Sequence, residues 1–132
     1  MIDRVIDASD LAHALIGKTS DAAELRHALL TTRCHAPHLI DAELGSVLRK
    51  RTRAGEITAT HGSTALWAAR AVIDYRYPHT GPLADLAWSW RDNLSFCDAL
   101  YVALAVRLDV PLVTGDERLS KAPRLPCLVE LI

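Results

Sequence analysis

Short apolar runs alternate along this chain with longer stretches whose apolar residues recur at helical spacing. Arg4-Val5-Ile6 is a strand-like run ending at Asp7, and Ser9 stands where a cap opens a helix through Leu11, Leu15 and Ile16. Gly17 to Ser20 interrupts the pattern, and Ala22, Leu25 and Leu29 predict a second helix over 21–30. Cys34 to Pro37 reads as a short buried strand. Ile40, Leu44, Val47 and Leu48 then predict a helix over 39–53 that ends near Gly55. Another helix is expected over 57–74, with Leu66, Ala69, Val72 and Ile73 on one side, stopped by the Tyr77, Pro78, Gly81, Pro82 cluster. Leu83, Leu86 and Trp90 give a short amphipathic helix, and the nearly all-apolar stretch 96–108 predicts a central buried one. Pro111 to Thr114 and Cys127 to Ile132 read as the last two strands.

Short apolar strands separated by helices predict an α/β fold, a parallel sheet covered on both faces. In such sheets ligands bind beyond the carboxyl ends of the strands, the place that Asp7 and Asp116 occupy. No repeat, linker or compositional break divides the 132 residues, so one domain over 1–132 is expected. No apolar run approaches the ~20 residues of a membrane helix, and Asp3, Arg4, Asp7 and Asp10 stand where a signal peptide is apolar. A cytoplasmic protein is the expectation. Fifteen basic against sixteen acidic residues leave a formal charge of −1, so any nucleic-acid role must rest on a local patch. Aromatic residues, at 5%, are too few for an extended stacking groove. Cys34, Cys97 and Cys127 lack a C-x-x-C pair and read as small buried hydrophobes in a reducing compartment. Trp67, Trp88 and Trp90 read as core residues, except that Trp88 and Trp90 lie about 200° apart on a helix, so one of the two is expected at the surface. His35 and His38 have H-x-x-H spacing, but Pro37 between them argues against a helix presenting both to zinc.

The chemistry, if any, lies in the acids. Asp7 and Asp116 each follow a strand, and Asp98 stands three residues after Ser95 at the start of the central helix. Glu43 lies about 60° from Ile40, at the edge of its helix's apolar arc. Each has an ordinary reading: Ser95-x-x-Asp98 is a capping box, Asp7 and Asp116 can be caps or turn acids, and Glu43 can be a solvated helix residue. Asp41 rivals Glu43, and Asp3 and Asp10 rival Asp7, which is favoured because it ends the strand. Two carboxylates ~4 Å apart repel by about 4 kcal/mol at an effective dielectric of 20. Four converging acids therefore call for a hard divalent cation, Mg²⁺ or Mn²⁺, and such a site supports hydrolysis of phosphodiesters by a metal-activated water.

Longer stretches carry a family likeness: Val5-Ile6-Asp7-Ala8-Ser9, Ala36-Pro37 followed by Glu43-Leu44 and Val47-Leu48-Arg49, Asn93-Leu94-Ser95 with Asp98-Ala99-Leu100-Tyr101-Val102-Ala103-Leu104-Ala105, and Pro111-Leu112-Val113-Thr114-Gly115-Asp116. Across nearly the whole chain the sequence resembles the PIN-domain ribonucleases, most closely the VapC toxins of toxin–antitoxin pairs. The resemblance implies a three-layer α/β/α sandwich with a short central parallel sheet, a Mg²⁺-dependent endoribonuclease site, a homodimer and inhibition by a VapB-type antitoxin. It implies Asp7, Glu43, Asp98 and Asp116 as catalytic and metal-holding acids, with Ser9, Asn93 and Thr114 supporting the same pocket. Cleavage would leave 5′-phosphate and 3′-hydroxyl ends. Arg49, Lys50, Arg51 and Arg53 form the dense basic cluster, and Arg49 with Arg53 at i, i+4 are the candidates to carry RNA phosphates; a solvated face or a docking site for an acidic antitoxin segment is the other reading. Two further alternatives are a catalytically idle domain of the same fold that binds RNA or protein, and a phospho-acceptor receiver. The receiver fits poorly, because neither paired acids beside Asp7 nor a suitable late Lys is present.

Overall fold

The elements follow the order β1 (Ile2–Ile6), α1 (Ala8–Ile16), α2 (Ser20–Leu29), β2 (Thr32–Pro37), α3 (Leu39–Arg53), α4 (Ala59–Val72), β3 (Tyr75–Tyr77), α5 (Pro82–Trp88), α6 (Phe96–Leu108), β4 (Leu112–Thr114) and β5 (Val129–Leu131). They come from a computed structural model that describes residues 1–115, 119, 121 and 125–131. The five strands form one parallel sheet in the order β3-β2-β1-β4-β5, with Val5 opposite His35 on one side and Leu112 on the other. Parallel neighbours require right-handed crossovers. The chain steps from β1 to β2 to β3 in one direction and returns past β1 to β4 and β5 in the other. The helices of the first two crossovers, α1 to α4, therefore cover one face, and α5 and α6 cover the opposite one, which completes the expected α/β/α sandwich. The direction reverses between β1 and β4, so the crevice at their carboxyl ends is where an open sheet of this kind binds ligands. Receiver-like domains order their strands 2-1-3-4-5, which this sheet does not.

The core follows from the apolar pattern. Val5 and Ile6 of β1, Leu11 of α1, Ile40 and Leu44 of α3, and Leu112 and Val113 of β4 are buried. Helix α6 is buried throughout Ala99–Ala105, as its uninterrupted apolar sequence requires. Among the described residues no helix is long and apolar enough to cross a membrane.

Several expectations need correction. Strand β3 falls where a helix stop was expected. Tyr75-Arg76-Tyr77 is too short to show a period, and it is held to β2 by Asp74, whose N–H donates to the Cys34 carbonyl (2.9 Å) and whose carboxylate accepts from the Cys34 N–H (2.8 Å). The cap of α1 is Asp7, not Ser9: with φ −90° and ψ 169° its side chain accepts from the Asp10 N–H, and Ser9 is already helical. Trp67 is not in the core. Helix α4 packs through Gly62, Ala65 and Ala69, so Trp67 lies outside, 66% exposed beneath the Arg70 guanidinium. Of the other pair, Trp88 is exposed and Trp90 packs against the core. Cys34 is buried, with its thiol pushed up to about 12 by desolvation, but Cys97 is exposed. Both ring nitrogens of His35 are engaged, Nδ1 with the Tyr77 hydroxyl (2.7 Å) and Nε2 with Asp3 (2.8 Å).

Candidate active site

Asp7 is the first residue beyond β1, and Thr114 ends β4. The register pairs Ile6 with Val113, so the next step along both strands brings these two side chains together at the crevice. Thr114 Oγ1 donates to Asp7 Oδ2 at 2.5 Å. Asp7 Oδ1 accepts from Ser9 Oγ and from the Asp10 N–H, both at 2.9 Å. Three neutral donors thus fix a buried carboxylate whose two oxygens offer about four lone-pair sites. Its position is set without cancelling its charge.

Glu43 reaches the same region from the second turn of α3. Its Oε1 accepts from the Tyr101 hydroxyl of α6 at 2.5 Å. Burial pushes the Glu43 carboxyl upward, the Tyr101 hydrogen bond partly opposes this, and the charges of Asp98 and Asp7 push it up again. The Tyr101 phenol is itself buried and held protonated by desolvation and by Glu43. Asp98 is half-buried in the first turn of α6, where its N–H donates to Ser95 Oγ (3.2 Å), so the Ser95 N-cap exists alongside the electrostatic coupling. Glu43 on α3 therefore feels both Asp7, just beyond β1, and Asp98 on α6. Among the described residues neither Asp7 nor Glu43 forms an ion pair with Lys, Arg or His.

Asp10 also belongs to this region. It is 2% exposed, and desolvation, followed by the charge of Asp7, raises its carboxyl to about 7, against a pull from the Gly115 backbone. Among the described residues its Oδ2 has no hydrogen-bond partner. The sequence treats Asp10 only as a rival to Asp7 and says nothing of the Tyr101 hydroxyl. Tyr101 lies one turn from Asp98 on α6, and that spacing is the signal that could have found it.

The other candidates divide. Ser9 and Thr114 hold Asp7, as above. Asn93 is exposed between α5 and α6, and its backbone N–H donates to the Trp90 carbonyl (2.9 Å). Asp116 lies outside the described residues. Asp41 turns away to Arg76 (2.7 and 3.0 Å), and Asp3 pairs with Arg33 and His35, so neither rival joins the site. Arg49 and Arg53 face a groove between α3 and α4 with Gly62, Ser63 and Leu66, not the Glu43 side of α3. Among the described residues no three of His, Cys, Asp and Glu enclose a metal position by themselves. The donor set is hard oxygen, and Asp7 and Glu43 have no cationic partner among the described residues, which suits Mg²⁺, an ion commonly held by one or two carboxylates and several waters.

A family model described as the PIN domain matches residues 4–125. Over 132 residues the chain is 47% identical to Ribonuclease VapC1 of Mycobacterium tuberculosis, covering 100% of this chain and 99% of that relative. Among solved structures, VapBC2 from Rickettsia felis bound to a promoter DNA fragment superposes with a TM-score of 0.72 at 11% identity, covering 99% of both chains. VapC20 of Mycobacterium tuberculosis, a sarcin–ricin-loop-cleaving toxin, gives 0.70 at 17% identity, covering 95% of this chain and 98% of that one. At these identities the two structures speak for the fold alone.

Proposed function

Because this chain belongs to the PIN-domain family and, within it, to the VapC ribonucleases, we propose that it is a Mg²⁺-dependent endoribonuclease acting as the toxin of a toxin–antitoxin pair. Asp7, Glu43, Asp98 and Asp116 would hold the ion, with Mn²⁺ as a substitute. The observation that supports this most is the Glu43 carboxyl, raised by burial and by Asp98 and Asp7, in a region where neither it nor Asp7 has a cationic partner among the described residues. When bound, the dication supplies charge neutralisation at a scissile phosphate and acidifies water.

The chain's own residues set the remaining conditions. Thr114, Ser9 and the Asp10 N–H hold Asp7 in one orientation, so no rotamer search precedes binding. Tyr101 holds Glu43 at the pocket, and the raised affinity of Glu43 for protons suits it to accept one at Oε2, the oxygen that Tyr101 does not occupy. Hydrolysis would leave 5′-phosphate and 3′-hydroxyl ends. Family membership further supports a VapB-type antitoxin and a second copy of the chain as partners, and the cytoplasm as the place of action.

Incubating the purified chain with RNA and Mg²⁺ and sequencing the ends produced tests the reading. Cleavage should require the metal and stop with chelator. Asp7→Asn or Asp98→Asn, which keep shape and remove charge, should each abolish it; cleavage undiminished in either variant would overturn the assignment.

A further inference from the structure

A cavity of about 720 Å³ runs between α1 and α3, away from the acids. Ser9, Asp10 and Gly115 form the end beside the acidic pocket, and His13, Lys50 and Arg51 line it further along the two helices. The helical phase of α3 explains this order. Lys50 follows Glu43 by seven residues, close to two full turns, so it shares the Glu43 face about 10 Å further along the axis. Arg49 and Arg53 are rotated away toward α4. Lys50 is exposed and makes no ion pair among the described residues, whereas Arg51 is braced by Glu56 at 3.2 Å. The cleft thus runs from Asp10, beside the acids Asp7 and Glu43, to Lys50 and the Arg51–Glu56 pair, whose joint charge is positive.

We infer that this α1/α3 cleft is the channel for the RNA strand, in which Lys50 and Arg51 hold a phosphate neighbouring the one that is cut. The inference rests on the ribonuclease reading above and deepens it. A phosphate strand matches the charge order: its scissile phosphate is drawn to the acids by the bound dication, and the next needs a cation that the acids cannot supply. An acidic peptide matches it less well, since it would carry carboxylates toward Asp10 and Asp7 without an ion of its own. Arg51 gives the planar contact suited to phosphate, and Lys50 an unengaged point charge.

The test measures affinity for a short fluorescent single-stranded oligoribonucleotide and, in Mg²⁺, its steady-state cleavage over a range of salt. Lys50→Ala and Arg51→Ala should each weaken binding and raise KM about tenfold while kcat stays within about twofold. Each lost contact should flatten the log–log salt dependence of affinity by about 0.7. Lys50→Arg should restore both. Unchanged KM and salt slope in Lys50→Ala and Arg51→Ala, beside a wild type that cuts, would overturn the channel. So would a loss confined to Arg49→Ala and Arg53→Ala, or one that affects only capture of an acidic partner protein. A wild type that binds the oligonucleotide without cutting it would count against the ribonuclease reading, and the affinities of the same variants would still judge the channel.

Discussion

The carboxylates at the crevice and the ion-paired ones elsewhere in the molecule are held in opposite ways. Asp3 takes both arms of Arg33 (2.9 and 2.8 Å) as well as His35, and the guanidinium holds its carboxyl below the usual range. Asp41 receives Arg76, and Glu130 receives Arg4 at 3.1 Å. At the crevice, by contrast, Asp7 is held by two hydroxyls and an amide, Glu43 by a phenol, and Asp10 is buried with one oxygen unpartnered among the described residues. Neutral donors fix a carboxylate in place and leave its charge to act on something else. The first group ties elements together; the second holds repulsion that a cation can relieve, at a cost in stability.

The sharpest way to break this contrast is to neutralise one acid of each kind. Asp7→Asn should reduce Mg²⁺-dependent RNA cleavage by at least about a hundredfold, the scale of losing one preorganised electrostatic element, whereas Asp3→Asn should leave it within about twofold. Equal losses would show that pairing does not separate the two groups. The cost of the unpaired group should appear in stability measured with chelator present. Asp10 titrates near 7 in the fold, against 3.8 for an unperturbed aspartate, so the folded state keeps a proton that the unfolded chain has released. Stability from this group is fully present below about pH 4, declines as pH rises, and is lost above 7 by up to about 4 kcal/mol. Asp10→Asn should therefore unfold at higher denaturant than wild type at pH 8, with the gap closing toward pH 4. A gap that is constant with pH would remove the electrostatic explanation.

These residues also show what the sequence could and could not reveal. Asp7 was legible because a short apolar run stops at it, and Asp98 because Ser95-x-x-Asp98 marks a helix start. The sandwich was legible from strands too apolar for one-sided exposure. Choosing Glu43 over Asp41 was not settled by helical phase; it depends on Arg76 of β3, and β3 is three residues with no period to read. The Tyr101 hydroxyl was hidden in a run whose apolar character already explained it. Asp10 is polar on a predicted helix, where the ordinary expectation is solvent, and only the packing of α1 beside Gly115 buries it. The basic cluster was visible as composition, but Arg49 and Arg53 attracted attention by their spacing while Lys50 had the phase of Glu43.

The Tyr101 contact gives a finer test, because it acts on an acid of the unpaired group through a neutral donor. Tyr101→Phe keeps the ring in the core and removes the hydroxyl that lowers the Glu43 carboxyl. Glu43 must be ionised to hold a cation or accept a proton, so raising it further moves the acid limb of the pH–rate profile to higher pH. A hydrogen bond to a charged group contributes about 1.5–3 kcal/mol, so activity should fall most on the acid side of the profile, with a smaller loss near pH 8. An unshifted limb with a uniform loss would assign Tyr101 to packing alone.

The smallest effect should come from the paired group. Asp41 and Arg76 form a two-pronged contact at 2.7 and 3.0 Å, and the same guanidinium donates to the Ala69 and Ile73 carbonyls at 3.2 Å, closing the end of α4 against β3. The Arg76 side chain is 21% exposed and that of Asp41 41%, so water and salt screen much of the attraction. Asp41→Asn should therefore cost about 1 kcal/mol or less of unfolding free energy at low salt, and less still near 1 M salt, where the screening length is about 3 Å. RNA cleavage should stay within about twofold, because the lost charge faces a cation already on the chain. A larger loss of activity than of stability would place Asp41 among the acids of the crevice and dissolve the distinction from which these comparisons start.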